Sequence, residues 1–358
     1  MFGKQKCGEL PEEIEDGFDY DKYSQRKYLY IIVGLALCVA GYFLDVFFSS
    51  SYLDAGELIR AMFCPDSVDN ITRIIVWDIK MPEAMMAIIV GATLGLAGVV
   101  MQTMLNNPLA DPYTLGISAG ASLGAATATL LGLGATLFGA YMISASAFLF
   151  ALLACGGIFI VARIKTFTSD VLVLAGIGLV FFFSAIMSFL EYTAPAEALK
   201  NIMFWTMGSL AGSTWYENLA TLIILLVVFM YVFRHCWDLT AMRLGDSRAD
   251  SLGVDTQRMR KLLFVFISLM VAVAVSFVGC IGFVGIIGPH ISRMLLGEDQ
   301  RYLIPMSCIS GAVILLFADM ACKMIIEGAL VPIGILTSMI GIPFFFYLLL
   351  RKRRTVVE

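Results

Sequence analysis

Charge is what this sequence has least of. Only 15% of its 358 residues are Asp, Glu, Lys or Arg, against about 25% in a soluble domain. Histidine is scarcer still, at two residues far apart in the chain. That leaves no histidine-based metal set and no nucleophile–base pair of the kind an intramembrane enzyme needs. The eight cysteines are scattered, with no C-x-x-C pair, so neither a metal cluster nor a disulfide framework is indicated. A G-x-x-x-x-G-K-[ST] phosphate loop is missing as well. Any step driven by ATP must therefore be carried by another polypeptide, and the chain itself is not expected to be an enzyme.

Apolar length, by contrast, is abundant. Hydrophobic residues make up 59% of the chain and the mean hydropathy is +0.87. Apolar runs follow one another at 28–48, 84–105, 115–133, 138–161, 171–192, 216–233, 260–278, 283–296, 303–326 and 332–350. The eighth is short and the ninth carries charge. A hydrocarbon core of about 30 Å is crossed by roughly 20 apolar residues, so the pattern predicts an all-α, polytopic membrane protein with about ten transmembrane helices. With both termini placed in the cytoplasm, inner segments hold 19 of the 24 basic residues, including Arg351, Lys352, Arg353 and Arg354. The outer segments keep only Arg60, Arg73, Lys80, Lys200 and Lys323, as the positive-inside rule requires. Residues 1–27 gather Glu9, Glu12, Glu13, Glu15, Asp16, Asp19 and Asp21 and read as an acidic, solvated cytoplasmic tail. Residues 28–354 form the membrane domain. No small-residue cleavage site marks the first apolar run, so it is expected to stay in the membrane. Trp77, Trp205, Trp215 and Trp237 fall near span ends, where amphipathic rings favour the interface.

Small residues mark expected helix contacts. Gly91 and Gly95, then Gly116, Gly120 and Gly124, stand four apart and each set lines one helix face. Gly279, Gly282, Gly285 and Gly288 recur every third residue before Pro289. A Gly- and Pro-interrupted segment thus falls in each half, a pairing that can mark an internal repeat and a translocation path, although similarity between the halves is faint. Between the second and third runs, Asn107, Pro108, Asp111 and Pro112 form a stiff polar corner. Its prolines stop helix continuation and its Asn and Asp side chains can satisfy freed backbone groups. A structural corner is the preferred reading and a hinge the alternative. The longest inner connection, Arg234 to Lys261, breaks at Gly245 and Gly253 and reads as short helices with Leu239, Met242, Leu244, Ala249 and Leu252 as apolar positions. A surface-lying amphipathic helix fits less well than a docking surface for a cytosolic partner, because the stripe is small and both charge signs are mixed in.

Four stretches together resemble one family. They are MPEAMMAIIVGATLGLAGVVMQTMLNNPLADPYTLGISAGASLGA (81–125), FVGCIGFVGIIGPHISRMLLG (277–297), FADM (317–320) and VPIGILTSMIGIPFFFYLLLRKRR (331–354). In order and spacing they are similar to the iron-chelate and cobalamin permeases of type II ABC importers, over about residues 28 to 354. The resemblance implies ten helices per subunit and a dimer with a second permease, identical or paired. It also implies two cytosolic ABC ATPases, which bind ATP and Mg, and one extracytoplasmic substrate-binding protein. No cofactor is implied for this chain, membrane lipid is its surroundings, and nothing points to nucleic acid. The location implied is the bacterial cytoplasmic membrane.

Residue by residue, the resemblance assigns ATPase coupling to Leu244, Gly245, Asp246, Ala249, Leu252 and Gly253, within helices at about 238–254. It assigns a cytoplasmic gate to Thr168 and Ser169, which can also serve as N-cap of the fifth helix. The fifth and tenth helices would line the pathway. On the outer face Lys80 and Lys323 match positions that dock the binding protein, while Glu83 stands where a second arginine is usual. Lys323 has a local alternative, an ion pair with Asp319 four residues before it. His290 reads as a hydrogen-bonded structural residue and His235 as an interface residue. The function expected is the permease of an ATP-driven importer for a ferric siderophore or haem, with cobalamin as the alternative cargo. A proton-coupled secondary transporter is the remote rival, since it would want more ionisable groups facing a cavity than Asp319, Lys323, His290 and Glu191.

Overall fold

An apolar segment without water around it must satisfy its own backbone hydrogen bonds, and each apolar run of this chain does so as α-helix. The computed structural model describes residues 20–48, 54–135, 138–165, 167–325 and 331–351, and no strand occurs among them; the acidic stretch before residue 20 lies outside the described residues. Helix α1 (Tyr20–Phe48) leads to two short helices, α2 (Ala55–Phe63) and α3 (Asn70–Ile74). A π-helical stretch, Ile75–Lys80, joins α3 to α4 (Met81–Met104) in one rod. Then follow α5 (Ile117–Leu130), α6 (Gly139–Lys165), α7 (Ser169–Thr193), α8 (Ala196–Thr206) and α9 (Trp215–Arg234). The long connection carries α10 (Cys236–Met242) and α11 (Asp246–Ser251), and the chain goes on through α12 (Thr256–Val278), α13 (Val284–Leu296), α14 (Gln300–Ile325) and α15 (Ile333–Arg351).

Seven of these segments are long and apolar enough to cross a membrane, while α5, α13 and the apolar part of α15 are shorter. The chain is a multi-pass membrane protein. α4 is its buried axis, apolar on every side, as a helix enclosed by others must be. Contact along it is made backbone to backbone. A Cβ on Gly91 would stand 2.5 Å from the Gly311 carbonyl oxygen of α14, Gly95 lies equally close to Ser307, and Gly98 presses on Gly285 of α13. α5 meets α6 in the same way through Gly120 and Gly124, and Ser146 Oγ donates to the Gly124 carbonyl at 2.7 Å. Gly116 has a different task from the one its spacing suggests. Its φ of +77° makes it the left-handed residue that starts α5, a conformation open to glycine at little cost.

α5 therefore starts well inside the protein. Gly116 lies against Gly176 and Val180, part-way along α7. Asp111 lies against Gly285, which in turn touches Gly98, so the chain has climbed back by roughly 9 Å from the end of α4 at 1.5 Å per residue. α8 likewise dips inward and returns. Ser209 N donates to Val278 O at 2.8 Å, Ile333 N to Gly208 O at 3.1 Å and Gly334 N to Met207 O at 3.0 Å. α13 opens on Phe283, a non-glycine residue at φ +68°, a conformation costing about 1–2 kcal/mol. Its ring occupies the space left open at Gly341 of α15.

The α4 contacts are testable by single methyl groups. Gly98→Ala would overlap the Gly285 carbonyl, and overpacking of this kind costs about 1–3 kcal/mol. At Gly156 of α6 a Cβ would meet nothing within 4 Å, so Gly156→Ala is expected to be neutral or to stabilise by up to about 1 kcal/mol. Thermal unfolding of both variants in detergent should give a clearly lower midpoint for Gly98→Ala. Equal midpoints would refute the contact.

Candidate functional site

Two cavities adjoin the interior junction. One, of about 710 Å³, lies between the re-entrant stretch and α15, and its lining includes Asp111, Tyr113, Cys280, Phe283, Ser338 and Phe346. The other, of about 560 Å³, lies along α7 and is lined by Ser122, Val180, Ser184, Met187, Ser188 and Glu191 among others. Tyr113, Thr114 and Thr206 border both. Spacings of three and four along α7 set Val180, Ser184, Met187 and Glu191 on one face. The charged members of the two described linings are Asp111 and Glu191. Most of the wall is aliphatic, aromatic or hydroxyl-bearing. Among the described residues no group of three or more His, Cys, Asp or Glu side chains is arranged to hold a metal ion.

The corner residues divide. Asn107 sits at the turn itself: its Oδ1 accepts from Leu109 N at 3.0 Å and its carbonyl from Ala110 N at 3.1 Å. Asn106 before it takes a positive φ of 48°, which Asn tolerates better than most residues. Pro108 follows at the same turn, but Asp111 and Pro112 belong to the returning limb and are buried. The reason is tertiary: Gly285 has no side chain, and the Asp111 carboxyl fills the space a Cβ would occupy.

At the end of the bundle bearing α10 and α11, the six coupling candidates also divide. Leu244 is 53% exposed and Leu252 65%. Gly245 and Gly253 beside them have positive φ, +96° and +87°, with open space around each. Ala249 is buried with Leu239 and Met242 in the main core. Asp246 is turned to Arg260, whose Nη2 donates to its Oδ1 at 2.7 Å. Leu244, Gly245, Leu252 and Gly253 thus form an open rim, and Asp246 and Ala249 anchor it. Close by, Arg301 bonds Asp299 at 2.7 Å and Arg243 and Arg293 both reach Glu298. Partial burial opposes ionisation of Asp299, but the bonds from Arg301 and the nearness of Lys27 outweigh it and hold the carboxyl below its ordinary pKa.

Thr168 and Ser169 stand at the start of α7 at this same end, half-buried beside the enclosed Phe167. Thr168 occupies the N-cap position through its carbonyl, which accepts from Leu172 N at 3.2 Å, while its hydroxyl makes no capping bond. The histidines are packed: His235 Nδ1 lies 2.9 Å from Tyr231 O, and the His290 ring meets Phe344 edge-on at 5.7 Å between centroids.

At the opposite end the Asp319–Lys323 pair forms at 2.6 Å, and it has company. Lys323 Nζ also reaches Asp45 of α1 at 2.9 Å and Glu83 of α4 at 3.6 Å. Lys323 is 15% exposed, and Lys80, Glu83, Asp45 and Asp319 are buried. The three docking candidates are therefore part of an enclosed charge cluster that ties α1, α4 and α14. The Glu83 carboxylate has a local role, as one of three carboxylates around the Lys323 ammonium. Sequence reasoning passed over Asp45 although an acid inside the first apolar run was its signal. It also passed over Arg260, counted only as an inner positive charge, and the re-entrant Tyr113 and Thr114.

Removing one partner of a buried ion pair costs about 3–5 kcal/mol, because the others stay buried without compensation. Lys323→Met is therefore expected to lower the thermal midpoint in detergent far more than Lys323→Arg does. Adding Glu83→Gln and Asp319→Asn to Lys323→Met should recover part of the loss. Absence of any recovery would show that the lysine stem, and not its charge, holds this end.

Residues 35–351 match the FecCD transport family. The chain is 33% identical to the vitamin B12 import system permease protein BtuC of Vibrio cholerae, over 92% of this chain and 95% of that protein. It is 32% identical to the ABC transporter permease protein YvrB of Bacillus subtilis, over 95% of this chain and 99% of that one. Its fold is similar to a solved transporter described as of the metal-chelate ABC type in an inward-facing conformation, with a TM-score of 0.77 and 30% identity over 90% of this chain and 98% of that chain. Long apolar helices, a platform at one end and a match over nearly the whole chain lead to one statement: the chain belongs to the FecCD transport family, as a permease of the ABC importer kind.

Proposed function

We propose that this chain is the membrane-spanning subunit of an ATP-driven importer for a bulky metal chelate, a ferric siderophore or haem. The observation that carries the reading is the pairing of an open, anchored rim at one end with weakly gripping cavities along α7 and α15. In this reading the α10–α11 end and both termini face the cytosol of a bacterial cell. Two ATPase subunits, which bind ATP and Mg, seat against Leu244, Gly245, Leu252 and Gly253. A second permease, identical or paired, closes the α7 and α15 faces into a path, and Thr168 and Ser169 gate its cytosolic end. A substrate-binding protein docks at the opposite end, over the frame made by Lys80, Glu83 and Lys323. The chain catalyses nothing covalent: nucleotide binding closes the ATPases, and the permease passes between conformations. Cobalamin is the second reading, supported by relatives named as vitamin B12 permeases in Vibrio cholerae and as a cobalamin permease in Halobacterium salinarum.

Gentle purification from membranes should bring a phosphate-loop ATPase with the chain. Leu244→Asp with Leu252→Asp should cut its recovery by about tenfold or more, each tenfold corresponding to about 1.4 kcal/mol. In cells lacking the subunit, its return should restore uptake of one labelled chelate among ferric siderophores, haem and cobalamin. That uptake should vanish when the ATPase phosphate-loop lysine is replaced. Uptake that survives the replacement would overturn the reading.

A further inference from the structure

We infer that Arg260 is the positioning residue that passes movement of α11 to the start of α7 and the end of α4; this rests on the importer reading above. Arg260 is 2% exposed, and its bonds go to three separate elements. Nη2 and Nη1 grip the Asp246 carboxylate in a fork at 2.7 and 3.1 Å. Nη1 also donates to the Phe167 carbonyl at 3.0 Å, and Nε to the Met104 carbonyl at 3.1 Å.

Each partner stands where a small displacement has a consequence. Asp246 is the first residue of α11 and follows Gly245, where the chain turns at a φ of +96° with open space around it. Phe167 immediately precedes Thr168 and Ser169, and its ring is held edge-on between Phe159 and Phe264 at 5.4 and 5.9 Å. A rigid planar peptide links its carbonyl to the gate. Met104 is the last residue of α4, two residues before the turn at Asn106 and Asn107 that feeds the cavity wall.

A guanidinium is a flat fork, so its donors cannot reorient independently. Turning one edge with Asp246 turns the others against two carbonyls. Local stabilisation would need less. A buried carbonyl is satisfied by any single donor, and the Asp246 side chain is 46% exposed and open to water. A buried arginine that joins a partly exposed carboxylate to two enclosed carbonyls is instead arranged as a lever. Lys261, next in sequence, holds its ammonium 6.0 Å from the Phe167 ring centroid and adds weight to the same point.

The test compares Asp246→Asn, Arg260→Lys and the double variant in the complete importer, rebuilt in liposomes, reading labelled chelate taken up per ATP hydrolysed. Each single change is expected to lower that ratio by about tenfold, since a lysine cannot span three partners. The double variant should fall no further than the worse single, because both break one link. A purely structural role would reduce the amount of folded protein and leave the ratio alone, and an unchanged ratio overturns the inference. A second measurement needs no ATPase. With Ser169→Cys in the permease, the rate at which a small thiol reagent modifies that thiol should shift several-fold when Asp246→Asn is added, although residue 169 is not bonded to Asp246. An unaltered rate overturns the link. Failure of any ATPase to accompany the native chain would sink the importer reading, and the thiol rate would still decide the link.

Discussion

Backbone that leaves the helix inside an apolar surrounding has to find hydrogen-bond partners among other backbone, and the rest of this fold depends on how that is met. The chain leaves helix after α4, after α8 and between α12 and α13, and the start of α15 joins them. Val278 and Ser209, Gly208 and Ile333, and Met207 and Gly334 serve one another. These three stretches are irregular because each receives polar groups of another, while the stretch after α4 closes on its own turns, with Asn107 N donating to Gln102 O and Ala110 N to Asn107 O. Irregular backbone at membrane depth is tolerated where it lines a cavity or is enclosed by protein, and here it does both. The two cavities lie where these stretches meet because that is where the bundle is not filled by continuous helix.

Bringing separate backbones so close requires their side chains to vanish. Gly91, Gly95 and Gly98 on α4 meet Gly311, Ser307 and Gly285 in turn, and Gly279 and Gly334 make the same concession at the junction. In lipid, where burial of apolar surface gives little drive between helices, close packing and backbone contact carry the association. The glycines therefore set how near α13 and α14 approach the central rod, and so how much room the short helices have to begin inside the bundle. Phe283 is the reverse case. A bulky residue in left-handed backbone is held there by a space that only Gly341 leaves open.

How far all this was legible follows from the range of the interaction involved. Apolar runs are local, and each expected run is a helix whose bounds lie within a few residues for most of them. The first is longer at its start, reaching Tyr20, because Tyr20 to Lys27 continues the helix with polar residues. α2, α3 and α8 were not foreseen, being short and of mixed polarity. The start of α5 was placed within two residues, but its depth inside the bundle was missed because the return of Asp111 depends on Gly285, far along the chain. The pair Asp319–Lys323 was legible from helical spacing, whereas Asp45 and Glu83 join it from other helices. Among the six coupling candidates the pattern foresaw short helices broken near Gly245 and Gly253, and α10 and α11 lie there. It could not say that Ala249 and Asp246 turn inward while Leu244 and Leu252 turn out, since Arg260 and the core make that choice.

Each end of the bundle has an enclosed cation that ties separate elements, Lys323 at one and Arg260 at the other, and the difference between these two is informative. Lys323 is a compact charge with three carboxylates around it on α1, α4 and α14. An ammonium has no preferred plane and keeps its attraction while its partners shift around it. That end can flex and remain paired. Arg260 presents a rigid fork to one carboxylate and two carbonyls, and no partner can move without breaking a bond or carrying the others along. An end built this way either stays still or moves as a unit. Under the proposed importer function, in which conformation changes at the side where the rim is open, the fork stands at the end where rigid transmission serves and the point charge at the end where accommodation does.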